Sequence, residues 1–258
     1  MSQLEYTRRN RKDKEGQGSE WEMLFASFGI GRFANEGETD TIGTMKNELW
    51  NHKKAVLFDL DGVLFDTEYL AAKFMVEDGE AVGIHLPFDE ILAMAGMAHR
   101  KFFHKVDKML EDIGGFAEYE RRTKDLPQRK LPFAEVKYPY VSEFLKFLKE
   151  NGIKTAVCSS SPMDYINDAL KEGKIEQYMD YRISGCDLPF SKPDPAIYLL
   201  AMETLGVQPE DCVVIEDSAF GIEAGKRAGC TVIAYHDEKY SYDHSEADRI
   251  ISSYLELM

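Results

Sequence analysis

Positive charge is scarce in this chain. Its 258 residues carry 31 lysines and arginines against 46 aspartates and glutamates, a formal net charge of −15. That balance disfavours nucleic acid and anionic membranes, so neither is expected as a partner. An anionic substrate would have to meet cations gathered locally. Long apolar runs are also missing. No stretch is long enough to span a bilayer, and the N-terminus lacks a basic-then-apolar leader pattern. The four cysteines, Cys158, Cys186, Cys212 and Cys230, include no Cys-x-x-Cys pair. This favours free thiols in a reducing cytoplasm over a disulfide framework, and a cytoplasmic monomer is expected.

What is present is an ordinary globular composition, 44% apolar and 12% aromatic. The length suits one large domain or two smaller ones. Residues 1–50 stand apart. "TRRNRKDKEGQGSE" is polar and charged, and "GIGRFANEGETDTIG" follows neither period 2 nor period 3.6. A poorly ordered extension is expected over 1–50. Its basic cluster, Arg8, Arg9, Arg11 and Lys12, reads as a solvated tail rather than a nucleic-acid contact. Met45 opens a stretch that reads as a natural start. The first 44 residues are therefore expected to be dispensable.

From residue 54 a regular alternation begins. Apolar runs at 55–60, 153–159, 181–184, 212–217 and 231–235 read as buried strands. Segments 141–152, 162–173, 194–206 and 220–229 read as helices, and 248–257 as a short strand with a partial helix. The pattern predicts an α/β fold, a Rossmann-like parallel sheet with helices on both faces. Ligands of such sheets bind at the C-terminal strand edge, near the reversal of strand order. Residues 70–138 break the rhythm, because every segment there reads as helix. They predict an inserted α-helical cap over that edge, with the core formed by 51–69 and 139–258. Met75, Met94, Met97 and Met109 in this region read as core filler.

The stretch "KKAVLFDLDGVLFDTEYL" (53–70) gathers Asp59, Asp61, Asp66 and Glu68 where a buried strand stops. Carboxylates repel one another, and burying them unpaired is costly, so a metal ion or a lysine is expected among them. Other polar groups also follow strands: Ser159, then Lys192, then Glu216 and Asp217. Taken singly each has a plainer reading. Glu216–Asp217 or Ser159 could simply cap a helix, and Lys192 could be solvated.

Four motifs in order, "DLDGVLFDTE", "AVCSSS", "SKPDPAIY" and "VVIEDSAFGIEAGKRAG", resemble the haloacid dehalogenase superfamily, over about residues 54–258. More narrowly, the chain resembles the beta-phosphoglucomutase-like group with a helical cap. The resemblance implies Asp59 as nucleophile and Asp61 as general acid and then base. It implies Ser159 and Ser160 at the phosphate, and Lys192 as the cation reaching phosphoryl group and Asp59. Mg2+ is the implied cofactor, held by Asp59, the Asp61 carbonyl, Glu216 and Asp217. From the cap, "AMAGMAHRKFF" would present Gly96 with His99 or Arg100 to the substrate, the register being open by one residue.

Two departures matter. Ala71 stands where true beta-phosphoglucomutases carry a hinge histidine, and "YPYV" has Tyr140 where the usual pattern has glycine. The expected activity is therefore a magnesium-dependent phosphatase of small phosphorylated metabolites such as sugar phosphates, through an aspartyl-phosphate. A phosphohexomutase is the alternative, and a non-catalytic binding protein on the same fold is the third reading. The complete set of core residues argues against that third reading.

Overall fold

A computed structural model of the chain describes residues 49–94, 99–127 and 129–258. The expectations for residues 1–48 and for Gly96 lie outside the described residues. Strands β1 (Ala55–Phe58), β2 (Lys154–Ser159), β3 (Tyr181–Ser184), β4 (Cys212–Glu216), β5 (Thr231–Tyr235) and β6 (Arg249–Ile251) form one parallel sheet. Its order is β3-β2-β1-β4-β5-β6. The chain winds outward from β1 to β3, then crosses back to start again at β4. The reversal therefore falls between β1 and β4, where the crossover loops part and leave a crevice.

Both faces of this sheet are covered, which is why its strands are continuous apolar runs rather than alternating ones. The two-residue pleat sorts them. Val56, Phe58, Val157, Val213, Ile215 and Ile233 point to one side, into a cluster with α6 (Val141–Glu150) and α7 (Met163–Glu172). Leu57, Ala156, Cys158, Val214, Val232 and Ala234 point to the other, against α8 (Ala196–Leu205) and α9 (Ala219–Arg227). All four cysteines are free thiols.

Trp50 is a correction to the expected boundary of the extension. It lies within 1–50, yet it packs against Phe144 with ring centroids 5.7 Å apart, and its indole N–H donates to the Leu257 carbonyl at 2.8 Å. An isolated Trp outside any periodic run gives no sign of burial in the sequence. Its pocket is built by α6 and by the short 3-10 turn Tyr254–Leu257 at the far end of the chain.

The cap elements are α1 (Glu68–Ala81), α2 (Phe88–Leu92), α3 (His99–Met109) and α4 (Gly115–Thr123). They enclose an apolar cluster of their own, including Ile84, Leu86, Ile91, Val106, Leu110 and Tyr119. Helix α5 (Phe133–Val136) belongs elsewhere: Phe133, Val136 and Tyr138 pack with the sheet-side cluster, although they fall within 70–138. Two chain passages join cap and core, and they run side by side. The Asp66 amide donates to the Val136 carbonyl at 2.7 Å, and the Tyr138 amide to the Leu64 carbonyl at 3.1 Å. No described helix is long and apolar enough to cross a membrane.

Candidate active site

Sheet register brings the acids together. Phe58 on β1 lies opposite Ile215 on β4, and the Asp59 amide donates to the Ile215 carbonyl at 3.0 Å. One residue further on, Asp59 and Glu216 are therefore neighbours, on the α8–α9 side of the pleat. On its other flank, Phe58 pairs with Val157, so Cys158 comes level with Asp59.

Lys192 fills the space these three define. Its ammonium donates to Asp59 Oδ1 at 2.5 Å, Glu216 Oε1 at 2.6 Å and the Cys158 carbonyl at 2.9 Å. Those bonds use all three of its donors. Burial pulls the ammonium pKa down, but Asp59 and Glu216 together outweigh it and hold Lys192 above its ordinary value. The Asp59 carboxyl is pushed up to about 7, chiefly by burial, against the pull of Lys192 and with further upward push from Glu216 and Asp61.

Glu216 is spent on protein donors. Besides Lys192, Oε1 accepts from the Tyr198 hydroxyl at 2.7 Å. Oε2 accepts from the Asp217 and Ser218 amides at 3.1 and 3.3 Å and from the Ser218 hydroxyl at 3.2 Å. Helix α9 can pack this close because residue 221 is glycine; a Cβ there would stand 1.8 Å from Glu216 Oε1. Asp217 is the opposite case. It is buried, and its Oδ2 has no hydrogen-bond partner. Burial first, then Glu216 and Asp59, raise its carboxyl pKa well above the usual range. Gly62, at φ +77°, passes so near that a Cβ would lie 2.0 Å from that Oδ2. No three His, Cys, Asp or Glu side chains among the described residues form a ready metal cage.

Asp61 does not join the lysine cluster. Its Oδ1 accepts from the Thr67 hydroxyl at 2.6 Å and the Tyr165 hydroxyl at 2.8 Å, and its Oδ2 from the Ser161 hydroxyl at 2.8 Å. Ser159 is buried at the end of β2, its Oγ accepting from the Ser161 amide at 3.0 Å, while Ser160 is exposed. His99 and Arg100 open α3, but their side chains lie outside the described residues. Ala71 is in the first turn of α1 and exposed.

Several partners escape a reading of the sequence. Ser161 sits beside the serines singled out there, but any of the three could have faced Asp61. Tyr198 and Tyr165 look like apolar helix residues; only the hydroxyl at the tip marks them, and its target is remote in sequence. His244 Nε2 lies 2.7 Å from the Asp217 carbonyl. A backbone acceptor leaves no trace in residue types, and no signal pointed to it.

A parallel sheet with a lysine-bridged acid pair at its order reversal places the chain among α/β proteins with a ligand-binding crevice at the strand ends. The model of the haloacid dehalogenase-like hydrolases matches residues 53–229, and the chain belongs to that family. A phosphorylated carbohydrates phosphatase of Thermotoga maritima is 35% identical over 68% of this chain and 82% of its own length. A phosphoglycolate phosphatase of Nitrosospira multiformis is 30% identical over 79% and 93% of the two chains. A solved Thermotoga maritima structure, provisionally described as a beta-phosphoglucomutase, superposes with a TM-score of 0.62 at 31% identity, covering 79% of this chain and 96% of its own. Within the family, these relatives set the chain in the beta-phosphoglucomutase-like group.

Proposed function

We propose that this chain is a magnesium-dependent phosphatase of small phosphorylated carbohydrates that works through an aspartyl-phosphate. The observation that carries the reading is the pairing of a buried acid held by lysine, Asp59, with a buried acid left without a partner, Asp217. The Thermotoga maritima relative supports the carbohydrate class, and the phosphoglycolate phosphatase supports a small phosphomonoester substrate more broadly.

Lys192 holds Asp59 Oδ1, and attack on phosphorus falls to Oδ2. As the Oδ2–P bond forms, the bond from phosphorus to the carbohydrate oxygen breaks, and Asp61 gives that oxygen a proton. Water then attacks the same phosphorus and passes its proton to Asp61. The Oδ2–P bond breaks, releasing inorganic phosphate and restoring both aspartates. Ser159 and the exposed turn at Ser160 border the space where phosphate oxygens would sit, and Lys192 supplies fixed positive charge beside them.

The residues present fit a magnesium ion. Asp217 Oδ2 is a hard, buried, unpartnered oxygen, and the close passage of Gly62 leaves no side chain in its way. Magnesium characteristically takes one or two carboxylates with waters and substrate phosphate, so the lack of a full protein cage agrees with it. Asp59, the Asp61 carbonyl and Asp217 would hold it. When bound it neutralises the acids and polarises the phosphoryl oxygens. Glu216 is reassigned: with both oxygens taken by protein donors, it orients Lys192 instead of ligating the ion.

The test is a screen of phosphorylated carbohydrates for phosphate release with Mg2+, beside a mutase assay primed with a sugar bisphosphate. Steady phosphate release that outruns isomerisation is expected. Asp59→Asn should lower turnover at least about a thousandfold while leaving the fold intact. Near-normal release by folded Asp59→Asn would overturn the mechanism. Isomerisation many times faster than release would make the enzyme a mutase, despite Ala71.

A further inference from the structure

The loop that follows β5 has no part in the chemistry above, yet it grips both passages between cap and core. Its Tyr240 is buried, and the hydroxyl bridges the outgoing passage: it donates to Asp66 Oδ1 at 2.6 Å and accepts from the Tyr69 amide at 3.0 Å. Tyr69 is in the first turn of α1, where a helix leaves amides without partners of their own. The neighbouring Lys239 pairs with Asp66 Oδ2 and, at 3.0 Å, with Asp237 Oδ2. That same Asp237 oxygen accepts from the hydroxyl of Tyr138, on the returning passage, at 3.0 Å.

The loop is braced for this task. The Lys239 amide donates to Asp237 Oδ1 and the Tyr240 amide to the Asp237 carbonyl, each at 3.0 Å, so the turn is closed before it meets the hinge. Its far end reaches the acid motif. The Tyr240 ring stacks on Tyr242 at 5.4 Å, Tyr242 meets His244 edge-on at 6.3 Å, and His244 holds the Asp217 carbonyl. An open cavity of about 520 Å3 lies along the same seam, bordered by Asp66, Tyr138, Asp237 and Lys239, so the hinge is not packed solid there. Cap helix and acid motif are thus referenced to a single short loop.

We infer that Tyr240, seconded by Lys239, is a positioning residue that clamps the cap hinge and so sets how firmly the cap grips a substrate. The inference deepens the function proposed above and rests on it for the meaning of a grip. Loss of the hydroxyl in Tyr240→Phe frees the Tyr69 amide and one Asp66 oxygen while keeping the stack on Tyr242. Catalytic groups in the core are untouched, so a small ester that the cap does not grip should be hydrolysed as before.

The experiment has two arms. In the first, without substrate, hydrogen exchange of the Tyr69 amide in full-length Tyr240→Phe should quicken by about tenfold or more, with the β1 and β4 amides unchanged. In the second, KM for the best phosphorylated carbohydrate should rise roughly 3–10-fold, while kcat/KM for p-nitrophenyl phosphate stays within about twofold. Lys239→Gln should show the same two changes, weaker, and serves alone if Tyr240→Phe does not fold. Unchanged Tyr69 exchange, or an equal loss on both substrates, in a folded variant overturns the clamp. If wild type hydrolyses no phosphorylated carbohydrate, the functional reading fails instead, and the exchange arm still decides the clamp.

Discussion

Asp217 and Asp59 hold a charge problem that the protein alone only half solves. Lys192 answers Asp59, but Asp217 Oδ2 is buried without a partner. A carboxyl whose pKa is raised in the folded state keeps its proton more tightly there than in the unfolded chain. Its contribution is then fully present below about pH 4 and is lost as pH rises toward the folded value, about 7 for Asp59, while burial and the neighbouring Glu216 and Asp59 hold Asp217 well above the usual carboxylate range. Asp217→Asn removes this penalty. In EDTA, its melting temperature should exceed that of wild type by a margin that widens from pH 5 to pH 8, reaching roughly 3–8 °C. Magnesium should stabilise wild type more at pH 8 than at pH 5, and the variant little at either. A margin independent of pH would contradict this account. Tyr140 is strained in its backbone, at φ +64° where the usual motif has glycine, and it is 44% exposed. A side chain in that conformation costs about 1 kcal/mol. Tyr140→Gly should therefore raise the unfolding free energy by about 0.5–1 kcal/mol, seen as a slightly higher urea midpoint, with activity unchanged.

At the scale of elements, the turn after β1 depends on one close approach. Gly62 and Gly152 both have positive φ, 77° and 68°, so alanine at either is strained by about 1 kcal/mol. Only at residue 62 does the added methyl also meet an acid, Asp217 Oδ2 at 2.0 Å; at residue 152 it meets nothing within 4 Å. Gly152→Ala should thus lose stability but keep turnover. Gly62→Ala should lose turnover at least about a hundredfold, because Asp217 or the Asp59–Asp61 turn has to move. Paired denaturation and phosphate-release measurements separate the two, and equal turnover in both variants would rule the explanation out.

For the molecule as a whole, core and cap are packed around separate apolar clusters. Two of these clusters hold the sheet and the edge that carries the candidate site, and the third belongs to the cap. Replacing His99 and Arg100 together by alanine should raise KM for a carbohydrate phosphate or change substrate preference, while p-nitrophenyl phosphate is still hydrolysed. Equal loss on both esters would mean that these residues serve the core chemistry and not the grip.

Much of the site could be read from the chain because its acids lie within a few residues of strands. An apolar run ending in Asp59 and another ending in Glu216 announce themselves locally, as do the serines after β2 and the helix signals around them. Trp50 and α5 could not be placed that way, since each owes its surroundings to segments far along the chain. The division within the acid pair was also out of reach. Glu216 and Asp217 are adjacent and similar in charge, yet pleat and helix packing turn one toward Lys192, Tyr198 and Ser218 and leave the other without a donor. Sequence by itself determined which residue types stand at the ends of the strands, because the two-residue pleat and the apolar runs are local. Only the tertiary structure decided which partner each received, including Tyr240 at the hinge and His244 at Asp217, because hydrogen bonds across 27 to 174 positions depend on where strand order and helix packing return the chain.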